Sequence, residues 1–433
     1  MRKRNIVLSI ILSVILLIIL VAGLAALWPR KRPHSQVQRL PNGSLLSLEA
    51  VSYGDKVTIG SKVFDALQIE AGNKDVLSFC FSLSGGSWKP YLCMHDAVLD
   101  EHGCWISYGS GWHHTLSFGK PLGPWLDVGA EREIEVITVT AFPRRGQSVI
   151  LRLFGKCGEE DLGEFIAPNP TPGPHPIWTP ESLPIKKQDG NLTFLLTGLT
   201  TGSDYMGRRI KLAETPLTRA SFRITENGKL TKDWAPVQIV ISDATGNLLT
   251  HEIPSPLKDE SHYKNGEAVI NFNKMLCADE TWKLRVEFTQ TPGSQFPADQ
   301  LWALRGLGIP ANDTVVFSNE ATVKNGCTLR LLGIGGPGVR RWRLNSATSS
   351  KDIEVRARLS LPCENIRLNL LATDDHGRKF IGSITGYSDI AGDNEREFSF
   401  NFSNLPSDAR TLDLTFAIST SRYAEYLVKP SVP

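Results

Sequence analysis

The sequence predicts an all-β chain in which an N-terminal transmembrane helix precedes three related antiparallel β-sandwich domains. Three observations predict it. Residues 6–28 run for 23 positions without a charge, and no later segment holds a helical apolar period over three turns. Beyond residue 40, short runs alternate apolar and polar residues and are punctuated by Gly, Pro, Asn and Asp, the pattern of half-buried strands. Finally, the same strand and turn cues recur in the same order at offsets near 130 residues. A chain of 433 residues, at roughly 150 per domain, has room for two to four domains.

The first element is the anchor, residues 1–33 with its basic flanks. A helix over 6–28 would extend about 34 Å at about 1.5 Å per residue, enough for a hydrocarbon core of about 30 Å. Trp28 falls at its exit, where an indole suits the headgroup boundary. A cleaved signal peptide would use Gly23-Leu24-Ala25, but the apolar run exceeds the usual h-region and Pro29-Arg30-Lys31-Arg32 would follow the cut. Basic residues flank both ends, and a short basic N-tail on a single span stays inside. The expected location is therefore the membrane, single-pass, with the large C-terminal part extracytoplasmic.

Charge excludes one class of partner. Arg2, Lys3, Arg4, Arg30, Lys31 and Arg32 account for the net charge of +2; without these six, 41 basic residues face 45 acidic ones, a net of −4. A nucleic-acid binder is basic where it folds, so no nucleic-acid partner is expected.

The first domain, residues 34–165, carries strand patterns at Leu45–Val51, Val76–Leu83 and Ile134–Thr140. Residues 166–184 hold seven prolines in nineteen positions and read as an extended, semi-rigid linker. The second domain, 185–310, has strand patterns at Val237–Ile241 and Leu284–Phe288, with a helical turn or two at Asp299–Leu304. The third, 311–433, has one at Ile353–Leu359 and joins the second tightly near Pro310-Ala-Asn-Asp313. Val237 to Asn247 aligns without a gap on Leu368 to Arg378, 131 residues later, so that Asp243-x-x-Gly246 matches Asp374-x-x-Gly377. Asp100-x-x-Gly103 is the weaker first copy. Each reads as a type I turn closed by Gly between two strands of a hairpin.

The segments Leu40 to Gly54, Pro184 to Gly190 and Tyr423 to Pro430 resemble those of uncharacterised bacterial envelope proteins with one N-terminal anchor and β-sandwich domains. The resemblance implies that architecture and no activity, so it brings no functional residue.

The chemistry-bearing patterns are few. Gly333-Ile-Gly335-Gly-Pro-Gly338 fits a dinucleotide fingerprint, but no amphipathic helix follows to receive a pyrophosphate; it reads as a turn, like Gly198 to Gly202. Cys93-x-His95 and His102-x-Cys104 mirror each other, yet a hairpin turning at Asp100–Gly103 puts Cys104 roughly 13 Å from His95, too far for one zinc ion. A turn at Ser84–Lys89 would place Cys80 opposite Cys93. The pair is then either a cross-strand disulfide or two adjacent free thiols. Trp88, Tyr91, Trp105, Tyr108, Trp112 and Trp125 crowd the first domain, as core fillers or as a ligand surface. Ser110 lacks the setting of a nucleophile elbow, and Asp374-Asp375 lacks the acid spacing of a calcium loop.

The expectation is a membrane-anchored, non-enzymatic protein with no cofactor, catalytic residue or metal site. It would present its sandwiches to a protein partner or support a structure, the alternative being a carbohydrate-binding envelope protein that uses the first-domain aromatics. Oligomeric state is left unassigned.

Overall fold

Alternation along the chain sets which side of each strand meets the core. Over 353–360, Ile353, Val355, Ala357 and Leu359 are buried, while Glu354, Arg356, Arg358 and Ser360 between them are half-covered. The structure is a computed structural model. It describes residues 36–40, 42–59, 62–65, 75–85, 95–99, 105–108, 112–118, 132–155, 160–201, 218–253, 263–264, 266–272, 276, 280–291, 296–310, 314–316, 319–322, 328–335, 353–360, 366–389, 395–402 and 405–431. These residues form two compact units. One holds residues up to 97 with 109–140 and 148–170; the other holds 98–108, 141–147 and 171–433.

The first module opens with β1 (Val37–Arg39), β2 (Leu45–Tyr53), the small hairpin β3 (Lys56–Ile59) and β4 (Lys62–Asp65), and β5 (Leu77–Ser84). Next come β6 (His95–Leu99), β7 (Trp105–Tyr108), β8 (Trp112–Phe118) and β9 (Arg132–Val139). The hairpin β10 (Ser148–Gly155) and β11 (Glu160–Pro168) ends it. One sheet runs β1-β2-β5-β9-β8 and a second runs β11-β10-β6-β7. The Phe81 ring meets Phe165 edge-on at 4.8 Å in the buried interior.

The second module has β12 (Ile185–Asp189), β13 (Leu192–Thr200), β14 (Thr218–Glu226), β15 (Lys229–Leu230) and β16 (Trp234–Asp243). It continues through β17 (Leu248–Glu252), β18 (Tyr263–Lys264), β19 (Glu267–Phe272) and β20 (Trp282–Gln290). A single 3-10 turn at Ala298–Gln300 leads into β21 (Leu301–Gly308), so the expected helical segment is one turn followed by strand. The third module has β22 (Thr314–Val316), β23 (Glu320–Thr322), β24 (Thr328–Gly335), β25 (Ile353–Ser360) and β26 (Ile366–Asp374). β27 (Lys379–Asp389), β28 (Glu395–Phe402), β29 (Thr411–Thr420) and β30 (Arg422–Val428) close the chain.

One plan recurs three times. The sheet β12-β13-β14-β19-β18 repeats the strand order of β1-β2-β5-β9-β8, and β17-β16-β20-β30 repeats that of β7-β6-β10-β11. In the third module the same order appears as one nine-stranded sheet, β21-β29-β26-β27-β28-β25-β24-β22 with β23 beside β24. The two layers are fused there because β27 is continuous, pairing with β26 over 379–382 and with β28 over 383–389. Each module also carries a bulge in the strand next to a sheet edge, at Leu48/Ala50, Leu196/Gly198 and Leu331/Gly333. Gly198 and Gly333 therefore sit in bulged strands and not in the turns expected from their glycine spacing.

The last strands of the second and third modules are exchanged. In the first module β10 folds back into β11 as a hairpin. After β20, in contrast, the chain sends β21 to pair with β29 of the third module. After β29 it returns β30 to pair with β20 of the second, from Trp282↔Val428 to Phe288↔Arg422. Beneath the exchanged strand, Phe194 stacks on Phe288 at 4.1 Å, Phe222 lies 6.1 Å from Tyr426, and Tyr426 is fully buried.

The expected fold class is corrected on two counts. No helix among the described residues is long and apolar enough to cross a membrane, and residues 6–28 lie outside them. The third repeat is built from one continuous sheet whose two halves close over a common core, and it shares strands with the second, so it is not a separate domain. The proline-rich segment, for its part, is docked within its unit: Glu181 N–H donates to Leu427 O at 2.7 Å, Lys187 pairs with the Glu181 carboxylate, and Thr281 Oγ1 donates to Trp178 O at 2.9 Å.

Candidate functional site

Two Asp-x-x-Gly turns occupy the same hairpin of their modules, β16–β17 and β26–β27. Gly246 N–H donates to Asp243 O and Gly377 N–H to Asp374 O, with the glycines at φ +97° and +78°. That left-handed residue closes a three-residue hairpin loop, and only glycine adopts it freely. The aspartate side chain completes the turn. Asp243 Oδ1 accepts from the N–H groups of Thr245 and Asn247, and Asp374 Oδ1 accepts from those of His376 and Arg378. The first copy, 100–103, lies outside the described residues, although its flanking strands β6 and β7 are sheet neighbours.

The two turns differ in what their fifth residue does. At the first, Asn247 Nδ2 donates to Asp243 Oδ2, while its Oδ1 accepts from Phe142 N and Arg144 Nε at 3.0 and 3.1 Å. The Arg144 guanidinium lies 4.2 Å from the Phe142 ring centroid. Arg145 pairs with Glu280 and donates to the carbonyls of His175 and Pro176. This turn is a clasp on residues 141–147, which belong to the same compact unit.

At the second turn, Asp374, Asp375 and His376 bring potential metal-ligating atoms within 4.8 Å of one another. Their hydrogen bonds argue against a metal. Asp374 Oδ2 receives Arg378 Nε at 2.6 Å, the Arg378 NH groups reach both oxygens of Asp408, and Asp375 Oδ1 accepts from Arg410 N. A guanidinium thus takes up the Asp374 oxygen that a cation would need, and a metal would have to displace it. Burial raises the Asp374 carboxyl, but the N–H groups of Arg378 and His376 and the Arg378 guanidinium outweigh it and hold it below the ordinary range. The hydrogen bond from Arg378 does the same for Asp408.

A second charged array lies on the outer face of β25 and β28, where Arg356 and Arg358 both reach Glu397 and Arg358 also meets Glu395 at 3.2 Å. Burial raises Glu397, and the two arginines outweigh it, leaving its carboxyl below the ordinary value. Carboxylates with lowered folded-state pKa values contribute stability that is fully present above their unfolded values, 3.8 for Asp and 4.5 for Glu. That stability is lost as pH falls through the folded values. Thermal melts from pH 6 down to about pH 3 should show a falling midpoint, with a smaller fall in Glu397→Gln. An unchanged profile in that variant would contradict the assignment.

Of the expected cysteine pair, Cys80 is placed on β5 and Cys93 lies outside the described residues. Cys80 faces Ala50 on one side and Val136 on the other, so both hydrogen-bonding flanks of β5 are filled by β2 and β9. The next strand, β6, belongs to the other sheet. Cys80 is a buried free thiol. Burial, with a smaller contribution from the Glu49 charge, pushes the Cys80 thiol up to about 12. Cys80 should therefore resist alkylation in the folded protein and react on unfolding; labelling at the native rate of an exposed thiol would contradict this burial.

Of the expected aromatic surface, Trp88, Tyr91 and Trp125 lie outside the described residues. Trp105 and Tyr108 lie on β7, at one edge of its sheet, and Trp112 on β8, at an edge of the other. The backbone thus divides these residues between two sheets. What the sequence reading missed is the ionic crossing between modules. Arg367, at the start of β26, holds Glu287 of β20 through two contacts of 2.7 Å, and Ser421 Oγ donates to Glu287 Oε1 at 2.5 Å. No local motif signals it, because its three members lie 80 and 54 positions apart along the chain.

No protein-family model matches the chain, and no curated protein matches it. A solved structure described as the conserved domain protein from Bacillus anthracis is similar over 58% of this chain and 92% of its own, at 8% identity and a TM-score of 0.18. A likeness at that score carries no argument about fold or function.

Proposed function

We propose that this chain is a non-catalytic protein that presents β-modules for interaction or structural support. The observation supporting the reading is the exchange of β21 and β30, with the buried Glu287–Arg367 pair at its crossing. Two modules joined in this way keep their surfaces in a fixed relation. A body of that kind suits display or support, whereas a reaction cycle often needs a site that opens and closes. Its charged clusters serve the same end, since Arg378 ties Asp374 to Asp408 and Arg356 ties β25 to β28.

The test is to probe the intact chain on a glycan array and by photo-cross-linking in its native cells. A saturable complex with a defined protein, formed without chemical change in either partner, supports the reading. Turnover of a small molecule overturns it. Glycan binding abolished by Trp112→Ala would replace it with a carbohydrate-binding role.

A further inference from the structure

The strand exchange has a local cause. In the first module β10 ends at Gly155 and β11 begins at Glu160, which leaves residues 156–159 to turn the hairpin. In the third module β29 ends at Thr420 and β30 begins at Arg422, so Ser421 alone joins them. The shortest common hairpin loop has two residues, and its turn relies on Gly, Asn or Asp. Residues 411–428 contain no Gly, Pro or Asn, and their single Asp, Asp413, is remote from the join. The chain therefore passes from one sheet to the other without reversing. The link between β20 and β21 is longer, residues 291–300.

We propose that the one-residue link at Ser421 is a lock that bars the hairpin form of the third module and commits β30 to the edge of β20. The edge of β29 is thereby left to β21. The crossing is fixed by side chains on both strands: Ser421 donates to Glu287, and Thr289 Oγ1 lies 2.5 Å from Ser419 Oγ, with both residues buried. The second and third modules then form one folding body, in which each fragment made by a cut between β21 and β22 holds a strand of the other. A short connection that cannot reverse favours the exchange of an element between neighbouring folds.

The experiment places a protease site in the link 309–313 of the full chain, with and without four residues inserted after Ser421. Those four match the length of the 156–159 link. After cleavage the native-link protein should remain one species on gel filtration at micromolar concentration. The inserted variant should separate into two folded fragments, with association weakened at least about tenfold. Separation of the native-link fragments would overturn the exchange, and equally tight association in the inserted variant would overturn the lock. Should cleavage precipitate the protein, Arg285→Cys with Glu425→Cys, with and without the insertion after Ser421, reads the pairing of β30 with β20 in the uncut chain: the insertion should slow the cross-link, and an unchanged rate would overturn the lock. Arg285 and Glu425 are directly opposite and half-exposed, so the two cysteines should cross-link on oxidation. Failure to do so would refute the pairing of β20 with β30.

Discussion

Replacing Tyr426 by alanine should destabilise the second and third modules together, by about 3–5 kcal/mol, the range for removing a large buried aromatic side chain. The ring is fully buried between Phe222 and the chain of β13, and its hydroxyl donates to Phe194 O at 3.3 Å. Burial first, and then the charge of Glu181, raises the phenol above its ordinary value, which keeps it neutral and donating at all working pH values. Tyr426→Phe separates the two contributions: it keeps the ring and loses one hydrogen bond, for about 0.5–1.5 kcal/mol. Glu425→Ala, on the exposed face of the same strand, should stay within about 0.5 kcal/mol. The check is denaturant unfolding followed by probes in both modules. Coincident shifts are expected, because β30 is covalently part of the third module and structurally part of the second. A shift confined to one module would show that the two unfold separately.

Features decided by neighbours a few residues apart were legible in the sequence. Alternation located β2, β5, β9, β16, β20 and β25. The Asp-x-x-Gly spacing located two equivalent hairpins, since an aspartate that bonds its own backbone two and four residues on is a local device. Features that depend on which edge a strand finds were not legible. β5 lies between β2 and β9, and the chain crosses to the other sheet before β6, an arrangement that no spacing around Cys80 signals. The exchange had one visible signal, the run from Thr411 to Val428 with no turn residue at Thr420-Ser421-Arg422. The Asp374 cluster shows the same limit from the chemical side: three potential ligands adjoin in sequence, yet the residue that disarms them, Arg378, also bonds Asp408, thirty positions on.

Glu287→Ala should cost about 3–5 kcal/mol, because it removes the carboxylate that neutralises the buried Arg367 guanidinium and accepts from Ser421 Oγ. The pair joins β20 of one module to β26 of the other, and the side chains of Glu287 and Arg367 are 6% and 13% exposed. Such a pair is an expensive way to gain stability, since desolvation cancels much of the attraction. Its value here is positional. An apolar contact would tolerate a strand shifted by one residue or two, whereas a bidentate carboxylate–guanidinium contact has one geometry. The double variant Glu287→Leu with Arg367→Met tests this division. It should regain most of the stability lost in Glu287→Ala, or exceed the wild type by about 1–4 kcal/mol. If the pair fixes the register, the same variant should also loosen it, and the Arg285→Cys/Glu425→Cys cross-link would then form more slowly than in the native background. Recovered stability with an undiminished cross-linking rate would show that strand pairing alone sets the crossing and that the ionic pair is dispensable.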